Sequence, residues 1–269
     1  MALGCILARG TGVEVLRAVP EGYAMRGHAA YFKKHWEEFR ALAARADAVL
    51  TITASWPEDP LYPWARRADI RIVQVDATRP LDGSRAGVPL MEAPGTGAVS
   101  PYVWNSPGTF ARMADIVAAD MARLYPGEAR KIEANLRELK QSLFRLRSAF
   151  ETRFGMLERF EAVALTGQFV SLTDEFGLEV VEYLTAPEYR WTKRDHARLR
   201  SALRESGAKA VICAWEPRPE IAATVRECGA AVVVLQPFAL DGPWTVGAVT
   251  AHFDANLNRL LAALSGPAE

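Results

Sequence analysis

The sequence predicts an α/β fold of two small parallel-sheet lobes joined by one long helix, and three observations predict it. Short β-branched runs alternate with helical segments in two separate blocks, the pattern of βαβ units around parallel sheets. Between the blocks lies a long periodic segment, with Ile132, Leu136, Leu139, Leu143, Leu146, Phe150 and Phe154 on one narrow stripe. In the second block glycine repeatedly follows a helical run, where a left-handed cap costs glycine little.

The elements are expected in this order. Val13–Val19 reads as a strand running into the Pro20-Glu21-Gly22 turn. Tyr31–Ala46 carries Phe32, Trp36, Phe39, Leu42, Ala43 and Ala46 on one helical face. Ala48–Thr53 and Ile70–Val75 read as strands on either side of a break at Pro57, Pro60 and Pro63. Residues 77–99, rich in Gly, Pro and Ala, read as an irregular loop. Pro107 occupies a first-turn position and starts a helix to Leu124.

Glu128–Phe154 is the long helix, about 40 Å at 1.5 Å per residue. Its regular run is short for a coiled coil and is flanked by α/β patterning, so a helix spanning two lobes accounts for it better. Strands are then expected at Ala162–Leu165, Glu179–Leu184, Ala210–Ala214 and Ala231–Leu235. Helices are expected at Ser171–Phe176, Lys193–Ser206, Pro219–Cys228 and Trp244–Leu264. The expected domains are residues 1–125, a linking helix 126–155, and residues 156–269.

Composition narrows the function. Lys plus Arg and Asp plus Glu number 32 each, so net charge gives no pull toward nucleic acid or an anionic membrane. No apolar run reaches the roughly 18 residues of a membrane span. Cys5, Cys213 and Cys228 lack zinc-site spacing, and Cys213 and Cys228 read as buried thiols. Gly10-Thr11-Gly12 lacks the third glycine of a dinucleotide fingerprint. Neither a phosphate-binding Gly-x-x-x-x-Gly-Lys loop nor a Gly-x-Ser-x-Gly elbow occurs. The paired carboxylates Asp174 and Glu175 are expected at a helix start, where the dipole favours them. These readings point away from an enzyme.

The segment Ser100-Pro101-Tyr102-Val103-Trp104-Asn105-Ser106-Pro107 resembles a metal-site loop, Asp-Pro-His-x-Trp-x-x-Pro, with tyrosine in place of the histidine. That loop is a hallmark of the zinc/manganese-type (TroA-like) solute-binding proteins of metal ABC importers, and the chain from Pro20 onward is similar to that family in order. The resemblance implies two lobes facing across a cleft, with four ligands from their loops holding one transition metal, zinc or manganese.

Carried over position by position, the first ligand falls on His28, after Pro20-Glu21-Gly22 and Arg26-Gly27. The second falls on Tyr102. The third falls on Thr166 in Thr166-Gly167-Gln168-Phe169, and the fourth on Gln236 in Leu235-Gln236-Pro237-Phe238. A further family acid matches Glu216 in Glu216-Pro217. Three of the four ligands are thus replaced by neutral oxygen donors, of which Thr and Gln are poor ligands for zinc. His28 and Glu216 are the metal donors that remain.

The expected binding residues are His28, Tyr102, Thr166, Gln236, Trp215 and Glu216. Trp104 and Phe169 are expected beside them, with Arg26, Tyr31 and His35 at the entrance. Aromatic rings beside a carboxylate also suit an organic cation or a planar metal chelate. His196 and His252 read as structural.

The resemblance implies a periplasmic or extracytoplasmic receptor that captures a metal ion or chelate and delivers it to an ABC permease and its ATPase. A non-metal organic ligand, or a protein-interaction module on the same scaffold, is the competing reading. The start Met-Ala-Leu-Gly-Cys has no basic and apolar stretch ahead of it and does not read as a signal peptide. Against the family pattern the first strand is short or missing, and an upstream start is expected.

Overall fold

A computed structural model describes residues 1–238, 242 and 244–265. The chain divides into two compact units. One comprises Met1–Pro89 and Ala111–Lys140, the other Leu90–Phe110 and Gln141–Glu269. No helix among the described residues is long and apolar enough to cross a membrane.

In the first unit, α1 (Ala2–Ala8) buries Leu3, Ile6 and Leu7. Its last carbonyls have no partner within the helix. The buried Asn135 amide supplies one, donating to Leu7 O at 2.9 Å and Arg9 O at 2.8 Å. Asn135 stands on α6 (Ala129–Phe154), whose residues up to Lys140 belong to this unit. Residues 13–19, expected as a strand, form none. Val15 packs on Gly4, 3.2 Å from where a β-carbon would stand. Apolar content alone does not specify a backbone partner.

The helix expected over Tyr31–Ala46 is two helices, α2 (His28–Lys34) and α3 (Trp36–Ala43), interrupted at His35. The apolar face survives the break. Phe32, Phe39 and Ala43 share one core with Ala65 and Ile72, and Trp36 and Trp64 pack at its rim. Burying each phenylalanine contributes about 1.5–3 kcal/mol.

The strands β1 (Ala48–Thr51) and β2 (Val73–Asp76) pair in parallel, Ala48 opposite Val73 through Thr51 opposite Asp76. Between them the proline-rich break holds a further helix, α4 (Leu61–Ala68). Pro63 sits in its first turn, where a missing N–H is harmless. β2 starts later than Ile70 because Asp69 closes a turn, its carboxylate accepting the Arg71 N–H at 2.9 Å. α5 (Pro107–Leu124) contributes Ala111–Leu124 to this unit and forms over the expected residues.

The second unit is a four-stranded parallel sheet in the order β4-β3-β5-β6. Its strands are β3 (Glu161–Ala164), β4 (Glu179–Tyr183), β5 (Ala210–Cys213) and β6 (Ala231–Val234). Its helices are α7 (Val170–Glu175), α8 (Lys193–Ser206), α9 (Pro219–Glu227) and α10 (Val246–Leu264). The alternation expected from sequence is present within a residue or two at most ends. A core of Val163, Val211 and Cys213 from the strands meets Leu199, Leu203, Ile221 and Val225 from α8 and α9. α10 packs on β5 and β6.

Gly207 ends α8 at φ +69°, and its N–H returns to Leu203 O. Gly229 follows α9 at φ +73°. Both are the left-handed glycine caps that the sequence announced.

Candidate functional site

Parallel strands place the loops that leave their carboxyl ends along one edge, where ligands of open α/β sheets bind. In the second unit Thr166 follows β3, Trp215 and Glu216 follow β5, and Gln236 follows β6. Four candidate residues therefore stand on one sheet edge. The chain passes from β4, on one side of β3, to β5 on the other, so the topological switch lies between Thr166 and Trp215.

Tyr102 is brought there by Asn105, three residues on in the same loop. Asn105 is 2 % exposed, within a 3-10 turn at Val103–Asn105. Its amide donates to Gln168 O at 3.0 Å, and its carbonyl accepts the Phe238 N–H at 2.9 Å. One side chain thereby ties the Tyr102 loop to the loops after β3 and β6. Its family motif position, marked only as x, gave no reason to single it out. The Tyr102 ring is half-buried, edge-to-face with Trp104 at 5.7 Å.

The other candidates are engaged to different degrees. Thr166 is buried, and its hydroxyl accepts the Gln168 N–H at 3.2 Å. Asn256 holds the Gln236 backbone, accepting its N–H at 2.9 Å and donating to its carbonyl at 2.8 Å, while the Gln236 residue is exposed. Trp215 is 41 % exposed, and its indole N–H donates to Glu188 at 2.6 Å. The Arg218 N–H donates to the other oxygen of Glu188 at 3.0 Å. Glu216 is exposed. Burial, reinforced by Glu188 and Glu216, pushes the Cys213 thiol up to about 12, so it is protonated and inert. Phe169, expected beside these residues, is a buried core side chain.

Asp174 and Glu175 end α7 and do not start it. Glu175 nevertheless meets a helix N-terminus, that of α5. It accepts the Gly108 N–H at 2.9 Å and the Ser106 hydroxyl, and pairs with Arg147 at 3.1 Å. Burial raises its pKa to about 7, against the lowering effects of the Gly108 amide and Arg147.

His28 belongs to the first unit and opens α2. Its ring lies edge-on to Trp56 at 5.5 Å. Burial lowers its pKa below 6.5, against the opposing charge of Asp59, so the imidazole is neutral at neutral pH. Asp59 is buried and accepts the Leu61 N–H at 3.0 Å. Asp76, at the end of β2, accepts the Ala54 and Thr78 N–H groups, each at 2.9 Å. Neither acid was singled out from sequence, and Asp76 meets the Ala54 N–H only once β1 and β2 pair.

Tyr31 and His35 stack on each other at 4.6 Å, and Arg26 is exposed. His252 packs against Phe238 and Phe253, and His196 against Trp191. Among the described residues, no three His, Cys, Asp or Glu side chains are gathered as a metal ion requires.

Comparison with known proteins places this architecture. FpvC of Pseudomonas aeruginosa, a solute-binding protein solved with Ni2+, superposes with a TM-score of 0.74 at 18 % identity, over 100 % of this chain and 95 % of that one. Zn(II)-bound AdcA of Streptococcus pneumoniae gives 0.71 at 18 % identity, over 99 % of this chain and 56 % of that one. The laminin-binding protein Lbp of Streptococcus pyogenes gives 0.66 at 20 % identity, over 98 % and 94 %. At such identities the likeness establishes the fold. No curated protein matches by sequence. The family model described as zinc-uptake complex component A, periplasmic, matches residues 22–263, and the chain belongs to that family of metal-type solute-binding proteins.

Proposed function

We propose that this chain is a periplasmic receptor that captures a transition metal carried in a small organic chelate and hands it to the permease and ATPase of an ABC importer. It is a binder and not a catalyst. Family membership over residues 22–263 supports the receptor role. The donor chemistry supports the chelate. At the positions that match the family's ligands, Tyr102, Thr166 and Gln236 offer neutral oxygens, and the Thr166 hydroxyl already accepts a backbone N–H. A bare zinc ion is held by compact N, S or charged O donors. A metal that brings most of its own ligands needs less from the protein.

His28 keeps a neutral imidazole for one open coordination position, with Asp59 beside it as a carboxylate that favours the bound form. Tyr102, Trp215 and Glu216 supply aromatic surface and negative charge for the chelate's body.

The test is what the purified chain carries and what it binds. Elemental analysis and mass spectrometry should find metal and an organic molecule together. Calorimetry with zinc, manganese and the co-purified complex should show His28→Ala and Trp215→Ala each weakening capture. Because protonated imidazole cannot ligate, affinity should fall as pH drops through a midpoint below 6.5. Loss in Trp215→Ala with none in His28→Ala would favour a metal-free organic cation. Indifference of every ligand to both substitutions would overturn solute capture.

A further inference from the structure

The open edge of β2 in the first unit carries a cavity of about 500 Å³, lined by Tyr62, Arg66, Ile70, Gln74, Arg79 and Leu81 among others. From this cavity we infer a binding site for a small organic anion, an oxyanion head on an apolar body, separate from the capture residues proposed above. No family ligand position falls on it.

Its charge is uncompensated. Arg66 and Arg79 are both exposed, and neither forms an ion pair among the described residues. The Arg66 guanidinium touches only a neutral group, the Tyr62 hydroxyl at 3.4 Å, and lies 5.8 Å from that ring. Asp76, the acid in the lining, faces its own donors, the Ala54 and Thr78 N–H groups and the Thr78 hydroxyl. Other acids close by are engaged elsewhere, Asp69 on Arg71, Asp82 on Arg123, and Asp120 on the Leu81 N–H and Arg123. Two guanidiniums without a carboxylate partner present the forked donors that an oxyanion accepts.

Its rim carries apolar groups beside the charged ones. Ile70 is 73 % exposed and Leu81 52 % exposed, two large aliphatic side chains on the rim of one cavity. The ladder explains the floor. Val73 and Ala77 donate toward β1, so the residues of opposite parity between them, Gln74 and Asp76, turn their backbone outward. The Asp76 carbonyl is closed by the Arg79 N–H at 3.1 Å. That leaves one outward backbone pair, at Gln74, too short an edge for an added strand. A compact ligand suits it better than an extended peptide.

The probes are phenyl phosphate, benzoate and inorganic phosphate, added to the full chain and followed by calorimetry and 15N-resolved NMR. Phenyl phosphate or benzoate should bind saturably, shifting the amides of Ile70, Gln74 and Arg79, and more weakly as salt is added. Arg66→Ala and Arg79→Ala should each weaken binding by about tenfold, as expected for loss of a hydrogen bond to a charged group. Ile70→Ser should weaken phenyl phosphate while leaving inorganic phosphate unchanged. His28→Ala and Trp215→Ala should leave all three untouched, which separates this site from solute capture. Binding that survives the double arginine substitution, shifts confined to other residues, or no saturable binding of any probe would overturn the inference.

Discussion

Glu175 and Asn105 are single side chains that hold distant segments of the second unit. Glu175 sits in a carboxyl environment at odds with its task. The Gly108 amide and Arg147 favour its anion, yet burial outweighs them and moves its pKa from 4.5 to about 7. A carboxyl raised in this way binds its proton more tightly folded than unfolded. Its support is complete below pH 4.5 and is lost as pH rises through about 7, on the order of 3 kcal/mol in all. Glu175→Gln, which cannot ionise, should therefore gain stability relative to the parent between pH 5 and 7.5. Thermal melts across that range check it, and parallel curves for the two proteins would show that Glu175 is ionised throughout.

Asn105 answers a different measurement. Asn105→Ala orphans the Gln168 carbonyl and the Phe238 N–H, at about 1 kcal/mol or more for each group. Denaturant titration should show a loss of about 2–3 kcal/mol. Asn105→Asp keeps the acceptor for Phe238 but sets a buried carboxylate against the Gln168 carbonyl, and should lose at least as much at neutral pH. If Asn105→Ala unfolds like the parent, the side chain ties nothing.

Elements announced by local chemistry were legible, and an apolar run read as a strand failed where no partner strand lay beside it. α8 shows the first kind. Thr192 and Asp195 form a reciprocal cap at its start, with Asp195 accepting the Thr192 N–H at 2.8 Å, and Gly207 closes its end. Everything needed lies within the helix and its flanks. Thr192→Ala should lower Tm by about 2–4 °C. The Thr192 backbone N–H holds the Asp195 pKa low, so its cap persists above the ordinary carboxyl range and fades as pH falls through the lowered value. The difference in Tm between variant and parent should shrink in acid, and a constant difference would rule the carboxylate out.

Residues 13–19 show the second kind. Their apolar run matches a strand, but a strand needs a neighbour's backbone, and the sequence does not say where that lies. The break at His35 was hidden for a related reason. Phe32, Trp36 and Phe39 keep one face across it, so periodicity alone reads as one helix. α4 was masked by its prolines, although Pro63 falls where a helix tolerates one.

For the molecule as a whole, scaffold and chemistry separated cleanly. The turn, loop and helix signals that mark the family run from Pro20 to the last helix, and the family model matches residues 22–263. The ligand was less legible, because the positions that the resemblance matches to the family's metal ligands carry Tyr102, Thr166 and Gln236. What the structure adds is the way the second unit assembles three of those positions. Asn105, three residues on from Tyr102, bonds to Gln168 and to Phe238, each two residues beyond Thr166 and Gln236. The loops that would carry three donors are thus stapled at the carboxyl edge of one sheet.

If that convergence is retained while only the chemistry has changed, restoring the chemistry should restore the ion. Tyr102→His, Thr166→His and Gln236→Asp together present two imidazoles and a carboxylate, a donor set that zinc accepts at about 2.0–2.2 Å. Zinc affinity measured by competition with a chromophoric chelator should rise at least ~100-fold over the parent, about 2.8 kcal/mol at the usual 1.4 per tenfold. Adding Asn105→Ala to the triple variant should remove most of the gain while leaving the donors in place. A triple variant that folds and binds zinc no better than the parent would show that these loops no longer meet, and that the replaced residues were released from a metal site and not turned to a new cargo.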